Sequence, residues 1–202
     1  EFISLELDPN KNVFPTVVKY NEVEQDGYQS SIWEFDAPKE LDGYFVDAKI
    51  GDLDGDGTPD LIIVMTLSRF GTNSTPQVLV AVYSWEDGSF SELPSITLDI
   101  GKQDRSLRCN NFSMLDHDAD GDQELVLSLG SPYRGFAILD LDSQGRLVII
   151  KKIRPDEMLV GSGLLYSAVV DYDNDGYEDL LAISPEGNTI KAQPFYNIGG
   201  NF

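Results

Sequence analysis

Short apolar runs alternate with polar, glycine-containing stretches along the whole chain. Three of these runs, at 61–64, 125–127 and 180–183, are continuous and consist of Leu, Ile, Val and one Ala. Runs of this length and composition predict strands buried on both faces rather than helices. A short apolar segment precedes each run, and a hairpin with Gly in its turn follows it. The pattern predicts an all-β chain of repeated units, each with four short antiparallel strands.

The same acidic loop separates the first two predicted strands of each unit. Its pattern, D-x-D-x-D-G-x-x-[DE]-L, occurs without gaps at residues 52–61, 116–125 and 171–180. The copies begin about 60 residues apart, which is close to the spacing of propeller blades. We therefore predict a β-propeller architecture in which each acidic loop joins the first two strands of a blade.

The repeat spacing divides the chain into segments. Residues 1–43 are predicted to be a half blade that contains one hairpin at 13–35. Residues 44–106, 107–162 and 163–202 are predicted to be repeats 1, 2 and 3, the third truncated. The total is about three and a half blades, whereas propellers have four to eight. We therefore expect residues 1–202 to be part of a larger propeller, or to complete a ring with a further chain.

The spacing of the acids in each loop points to a hard cation. Carboxylates at loop positions 1, 3 and 5 converge on one point, and Gly at position 6 permits the sharp turn. An acid at position 9 and the backbone carbonyl at position 7 complete a set of oxygen donors of the kind that Ca²⁺ prefers. The loops contain no Cys/His cluster, so zinc and copper are disfavoured. The sequence predicts about three Ca²⁺ per chain.

Two other interpretations of the loops were weighed. A helical calcium loop of the EF-hand type needs an acid at position 12 and a following helix, but position 12 here is Ile63, Leu127 or Ala182, in strand-like runs. The helical interpretation is therefore rejected. The second alternative is that the loops are solvated acidic turns without a ligand. Three gapless copies favour cation sites over that alternative.

The charge balance narrows the class of partner. The chain has 14 Lys and Arg against 35 Asp and Glu, a formal net charge of −21. Such a surface repels nucleic acid and anionic lipid, so we expect neither as a direct partner. No apolar run is long enough to span a bilayer, so membrane insertion is not expected.

The loop and its flanks resemble a known family. Residues 46–64, from Val46 through the first acidic loop to Val64, resemble an FG-GAP/VCBS repeat of the integrin α-subunit type, and residues 195–202 are similar to the tail of such a repeat. The resemblance implies a β-propeller with calcium bound between the first two strands of each blade. The metal ligands it implies are Asp52, Asp54, Asp56, Thr58 (backbone) and Asp60; Asp116, Asp118, Asp120, Asp122 (backbone) and Glu124; and Asp171, Asp173, Asp175, Tyr177 (backbone) and Asp179. Glu124 replaces the usual Asp and is longer, so the second site is expected to differ.

A binding module is the function that we expect from these features. The sequence favours a calcium-binding, extracellular or cell-surface module, secreted, that serves protein–protein binding, adhesion or surface assembly. A carbohydrate-binding, lectin-like propeller is the first alternative. An accessory domain of a secreted polysaccharide-acting or lipid-cleaving enzyme is the second.

Catalysis by this chain alone is not expected. The chain contains none of the nucleophile-elbow, zinc-protease or phosphate-loop motifs. The clustered acids belong to the loops. Composition alone does not exclude a pair of carboxylates of the glycosidase type. His117, the one histidine, is predicted to be a surface residue, and Cys109 a small core thiol.

Overall fold

The computed structural model describes the chain except for several segments. Described are residues 2–7, 15–24, 27–34, 42–68, 77–86, 89–91, 96–99, 109–130, 133–155, 164–199 and 202. Side chains are described from residue 47 onward, with gaps. The described residues form sixteen strands, and they contain no helix that could cross a membrane. The predicted all-β class is confirmed.

Four antiparallel sheets follow one another along the chain, each with its strands in sequence order. Sheet I contains β1 (Phe2–Leu7), β2 (Pro15–Glu24) and β3 (Gly27–Glu34). Sheet II contains β4 (Asp42–Gly51), β5 (Asp60–Ser68), β6 (Gln77–Tyr83) and β9 (Ile96–Asp99), with a small hairpin of β7 (Trp85–Glu86) and β8 (Ser89–Phe90) before β9. Sheet III contains β10 (Cys109–Leu115), β11 (Glu124–Leu129), β12 (Gly135–Leu141) and β13 (Leu147–Ile153). Sheet IV contains β14 (Tyr166–Val170), β15 (Asp179–Glu186) and β16 (Thr189–Phe195).

The sheets pack as successive blades. Strand β10 contacts β4 and β5 on one side and β14 on the other, and β1 contacts β4. The first strands of neighbouring sheets therefore lie beside one another, as the innermost strands of propeller blades do. All the main contacts between described sheets join sheets that are consecutive in sequence.

Aliphatic cores fill the spaces between the sheets. The core between sheets II and III is centred on Ile62, Val80, Phe112, Leu127 and Leu139. The core between sheets III and IV contains Leu115, Val126, Phe136 and Ile138 from sheet III, and Leu180 and Ala182 from sheet IV. A third cluster, which includes Leu61, Ile63 and Phe90, covers the opposite face of sheet II. Because a strand turns alternate side chains to opposite faces, the central strands β5 and β11 each contribute to two cores.

Sheet IV has three described strands, and the described sheets do not close a ring. Two features differ from the prediction. Sheet I contains the predicted hairpin, here β2 and β3, but also β1, which the sequence analysis did not predict. The run 180–183 was predicted to be buried on both faces, yet Leu181 and Ile183 are only half-buried. Nothing from the described sheets covers that side of sheet IV.

Candidate metal centre

The three acidic loops share one backbone conformation. Loop 1 comprises residues 52–60, loop 2 residues 116–124 and loop 3 residues 171–179, each joining the first two strands of its sheet. The glycine at position 6 has positive φ in all three, with values of 84° at Gly57, 105° at Gly121 and 96° at Gly176. The predicted role of this glycine is confirmed, because only Gly adopts such angles without steric cost.

A second left-handed residue, which the sequence analysis missed, lies at position 4. It is Gly55 in loop 1, Ala119 in loop 2 and Asn174 in loop 3, with φ between 60° and 67°. Two left-handed residues on either side of position 5 coil the chain tightly, so that the backbone N–H groups turn toward the acidic side chains.

The acid at position 9 anchors the start of its own loop. In every copy its carboxylate accepts a hydrogen bond from the backbone N–H at position 2. The donors are Leu53 to Asp60 at 3.1 Å, Tyr172 to Asp179 at 2.8 Å, and His117 to Glu124. All three acids are buried. Position 9 therefore closes the loop over the end of the second strand.

The acids at positions 1 and 5 accept further backbone hydrogen bonds inside the loop. Position 1 accepts the N–H of the glycine at position 6, at 2.9 Å for Asp52, 3.2 Å for Asp116 and 3.1 Å for Asp171. Position 5 accepts the N–H at position 7, at distances between 2.7 and 3.0 Å. The position-7 residues are Thr58, Asp122 and Tyr177, whose carbonyls were the predicted backbone ligands.

Each loop brings three carboxylates together. One oxygen from each of Asp52, Asp54 and Asp60 lies within 4.8 Å of the other two, and the same is true of Asp171, Asp173 and Asp179. In loop 2 the group is Asp116, Asp118 and Asp120. Asp56 and Asp175 lie outside their groups, and so does Glu124. The longer Glu side chain therefore coincides with a different set of converging acids.

Two oxygens at these groups have no hydrogen-bond donor. Asp52 Oδ1 and Asp116 Oδ1 are buried, and no partner for them occurs among the described residues. A buried carboxylate oxygen without a donor is costly. Both atoms belong to position-1 acids, whose other oxygen is already bound to a glycine N–H.

Burial and crowding raise the pKa of several loop acids. Burial is the main cause for Glu124, whose pKa rises to about 7, and for Asp60, whose pKa is also raised. Desolvation followed by the negative charge of Asp175 raises the pKa of Asp173. The pKa of Asp56 is lowered, because the Thr58 hydroxyl and N–H both donate to it. The loops therefore hold several carboxylates whose negative charge is poorly compensated.

One acid outside the loop pattern lies near the second centre. Asp140, in β12, has a raised pKa because it is desolvated and lies near Asp118 and Asp120. The sequence analysis missed it, because it follows the loop by a whole strand and the other repeats have Ser84 and Tyr196 at the corresponding register position. No local spacing could have found it.

Neighbouring loops are linked to each other. The N–H of Gln123 in loop 2 donates to the carbonyl of Asp52 at 3.2 Å, and Glu178 in loop 3 accepts the N–H of Asp116 at 3.0 Å. Both residues occupy position 8 of their loops. The Asp122 carboxylate also approaches Gly55 so closely that a Cβ there would lie 1.8 Å from it. The three centres are therefore one connected row rather than separate sites.

The prediction that His117 lies on the surface is wrong. His117 is buried, its ring centroid is 5.4 Å from that of Phe202, and its carbonyl accepts a hydrogen bond from the Asn197 side chain at 2.7 Å. The tail of sheet IV covers it, and this burial lowers the pKa of His117. Cys109 is buried, as predicted, and burial raises its pKa.

Comparisons with known proteins gave a family-model match and a similar solved structure. A comparison with curated proteins finds no match. Among solved structures, the chain is similar to Bacillus licheniformis rhamnogalacturonan lyase PL11, with 17% sequence identity and a TM-score of 0.44. The similarity covers 89% of this chain and 42% of the lyase chain, so the chain spans less than half of that protein. Residues 52–127 match the family model described as FG-GAP-like repeat. This match runs from the start of loop 1 through loop 2 into β11, so this part of the chain is similar to an FG-GAP-like repeat.

Proposed function

We propose that this chain is a calcium-binding β-propeller module of an extracellular or cell-surface protein, and that it acts by binding a protein partner rather than by catalysis. In this proposal calcium stabilises the row of acidic loops, and the blades present a rigid surface for the partner. The FG-GAP-like repeat supports the propeller module. The geometry of the acidic loops supports calcium binding.

The observation that carries the calcium proposal is the pair of donor-less oxygens Asp52 Oδ1 and Asp116 Oδ1. Each belongs to a position-1 acid, one of whose oxygens lies within 4.8 Å of an oxygen from each of two further acids. Two unit charges at this separation repel by about 1 kcal/mol in water-like dielectric, and by several at an effective dielectric constant near 20. A bound cation would satisfy the orphaned oxygen and remove the repulsion together.

The donor set favours calcium over other metals. All the converging atoms are carboxylate oxygens, which suit Ca²⁺, Mg²⁺ and Mn²⁺ and do not select zinc or copper. Calcium accepts irregular coordination, whereas Mg²⁺ demands a near-ideal octahedron. The three groups differ in which positions converge, and a tolerant ion fits such variation better. The residues that would hold it are Asp52, Asp54 and Asp60, Asp116, Asp118 and Asp120, and Asp171, Asp173 and Asp179.

The proposal includes an extracellular location and a protein partner. Exposed loops of this kind suit calcium at about 10⁻⁴–10⁻³ M, the affinity range of extracellular modules. A protein partner is preferred because the FG-GAP-like repeat of residues 52–127 suggests a module for protein binding. The carbohydrate-binding alternative is tested by a glycan array probed with the calcium-loaded chain, on which we expect no binding.

Calorimetric titration of Ca²⁺ into chelator-treated protein tests the calcium proposal. We expect about three ions per chain, and one fewer for each of Asp52→Asn, Asp116→Asn and Asp171→Asn, because each removes the position-1 acid of one loop. Asp142→Asn is the matched control, since Asp142 is an acid in a turn outside the loops, paired with Arg146. Less than one ion in the unaltered chain, or an equal loss in the control, would refute the proposal.

A further inference from the structure

An aromatic ring flanked by positive charges lies at one end of sheet III. The Lys152 Nζ lies 5.5 Å from the centroid of the Tyr133 ring, and the Arg154 guanidinium lies 4.7 Å from the same centroid. Both cations are exposed, and so is Arg134, the residue that follows Tyr133. A cation is attracted to the negative face of an aromatic ring, so the ring holds these charges near one another. We call Tyr133, Arg134, Lys152 and Arg154 the cationic patch.

Local packing holds the Tyr133 ring in place. A Cβ built on Gly135 would lie 2.8 Å from Tyr133 Cε1 and 3.3 Å from Arg154 Cγ. The ring and the stem of Arg154 therefore lie directly against the backbone of Gly135, which is buried. Tyr133 also packs against the core between sheets II and III. Because these side chains are already ordered, binding at the patch would cost less conformational entropy.

The backbone of Arg134 has a conformation that costs free energy. Its φ is 53°, a left-handed value that Gly adopts freely and that other residues adopt at a cost. Among the described residues it is the one non-glycine residue with positive φ outside the acidic loops. Its N–H donates to the Gly130 carbonyl at 2.9 Å, and a glycine could make the same bond without strain. The turn therefore does not explain an arginine, and strained residues of this kind are concentrated at functional sites.

The two arginines of the patch have no acidic partner among the described residues. The ion pairs in that part of the chain are Lys49 with Asp47, Arg146 with Asp142, and Lys191 with Glu186. Neither Arg134 nor Arg154 has a carboxylate within 4.0 Å there. Since the chain has 35 acidic and 14 basic residues, acids are in excess, and two arginines without one are unusual. Their N–H donors can therefore bind a carboxylate of another molecule.

The patch lies at the end of sheet III opposite to its acidic loop. Strand β11 begins at the end of loop 2 and runs away from it, and the turn that contains Tyr133 and Arg134 follows β11. The pairing of Phe136 with Ile153 brings Arg154 to the same end. A strand of this length spans about 17–20 Å, which is about twice the Debye length at physiological salt. The negative charge of loop 2 is therefore largely screened at the patch.

We infer that the cationic patch is the docking surface for an acidic segment of a protein partner, whose Asp or Glu carboxylates bind Arg134 and Arg154. Arginine offers planar pairs of N–H donors that match a carboxylate. Tyr and Arg are also the residue types that contribute most to binding at protein interfaces. A long polyanion fits less well, because beyond the patch it would meet a chain with a net charge of −21.

This inference rests on the protein-binding part of the proposed function and adds the chemistry of the partner. It does not depend on calcium, because the patch and loop 2 lie at opposite ends of sheet III.

Fluorescence anisotropy with a labelled acidic peptide tests the inference. The probe is a short peptide of alternating Glu and Ser, and the matched control peptide has Gln in place of Glu. Both are titrated with the calcium-loaded chain at physiological salt, and we expect saturable binding of the Glu peptide alone. Arg154→Gln should weaken this binding at least about fivefold, because it removes a charge-assisted contact. Arg146→Gln, which changes an arginine already paired with Asp142, is the matched control and should leave the affinity unchanged.

Arg134→Gly separates a binding role from a structural one. It should weaken peptide binding as Arg154→Gln does, while the thermal midpoint stays the same or rises, because Gly relieves the left-handed strain. Unchanged peptide binding in this variant, or a lower midpoint, would show that Arg134 serves the turn and would contradict its place in the patch.

Several outcomes would overturn the inference. They are no binding of the Glu peptide, equal binding of both peptides, or an equal loss in Arg154→Gln and Arg146→Gln. Displacement of the peptide by a uronate oligosaccharide at a lower concentration than unlabelled peptide would overturn it in favour of an acidic glycan. Calcium titration of the same preparation separates the two proposals. A chain that binds calcium but not the peptide contradicts only this inference, whereas a chain that binds the peptide but no calcium contradicts only the calcium part of the proposed function.

Discussion

The residue at position 4 determines how much backbone strain an acidic loop contains. The backbone is left-handed there in all three loops, but the residue is Gly55, Ala119 or Asn174. Gly adopts this conformation freely and Asn tolerates it, whereas Ala is penalised because its Cβ crowds the carbonyl. Loop 2 therefore contains strain that the other loops avoid.

Relief of this strain is a testable prediction. Ala119→Gly should raise the free energy of unfolding by about 1 kcal/mol, measured by urea denaturation in calcium. The reciprocal change, Gly55→Ala, should lower it by more than about 1 kcal/mol, because the new Cβ would also meet the Asp122 carboxylate. Destabilisation by Ala119→Gly would show that the left-handed conformation at position 4 is not the source of strain.

Side-chain hydrogen bonds connect neighbouring strands of different sheets, whereas backbone hydrogen bonds connect the strands within a sheet. Asn111 in β10 uses both ends of its amide: its nitrogen donates to the Ser167 carbonyl at 3.1 Å, and its oxygen accepts the Ser167 N–H at 3.1 Å. Ser113 and Ser128 add hydroxyl contacts to the Ser167 side chain at 2.9 Å. This polar cluster fixes β14 against β10, the first strands of sheets IV and III.

Removal of the Asn111 amide should weaken the contact between sheets III and IV. We expect Asn111→Ala to cost about 2 kcal/mol of unfolding free energy, since it leaves two backbone groups of Ser167 with fewer partners. Asn188→Ala is the matched control, because Asn188 lies in an exposed turn of sheet IV, and it should change stability by less than about 0.5 kcal/mol. A loss of the same size in both variants would contradict the bracing role of Asn111.

At the scale of the whole molecule, the acidic loops form one row along a strongly anionic chain. Loop 1 bonds to loop 2 through Gln123, and loop 2 to loop 3 through Glu178. Repulsion in one loop is therefore transmitted to the contacts between blades. Calcium in these loops would stabilise the assembly of blades as well as each turn.

Calcium removal should consequently destabilise the entire chain. A ligand at a hundredfold excess over its Kd contributes about 2.7 kcal/mol per site, so excess chelator should lower the thermal midpoint by at least about 15 °C. Added NaCl should recover part of this loss, because salt screens the exposed acids. Identical midpoints in calcium and in chelator would contradict a stabilising role for the ion, and a variant with Asp52, Asp116 and Asp171 all changed to Asn should show no chelator effect.

The acidic loops, their glycines and the strands beside them could be predicted from the sequence, because each loop closes within nine residues and its spacing alone brings the acids together. Which acids converge could not be predicted: Asp120 belongs to the group of its loop, and Asp56 does not. Asp140, in another strand, lies near Asp118 and Asp120. The burial of His117 depends on Asn197 and Phe202, far along the chain. The three apolar runs look alike in sequence, and only packing shows that two are buried on both faces while the third is half-buried on one face. The spacing of residues along the chain determined the acidic loops, because each loop is local in sequence. Burial and the order of the blades were decided by contacts between segments that are distant in sequence.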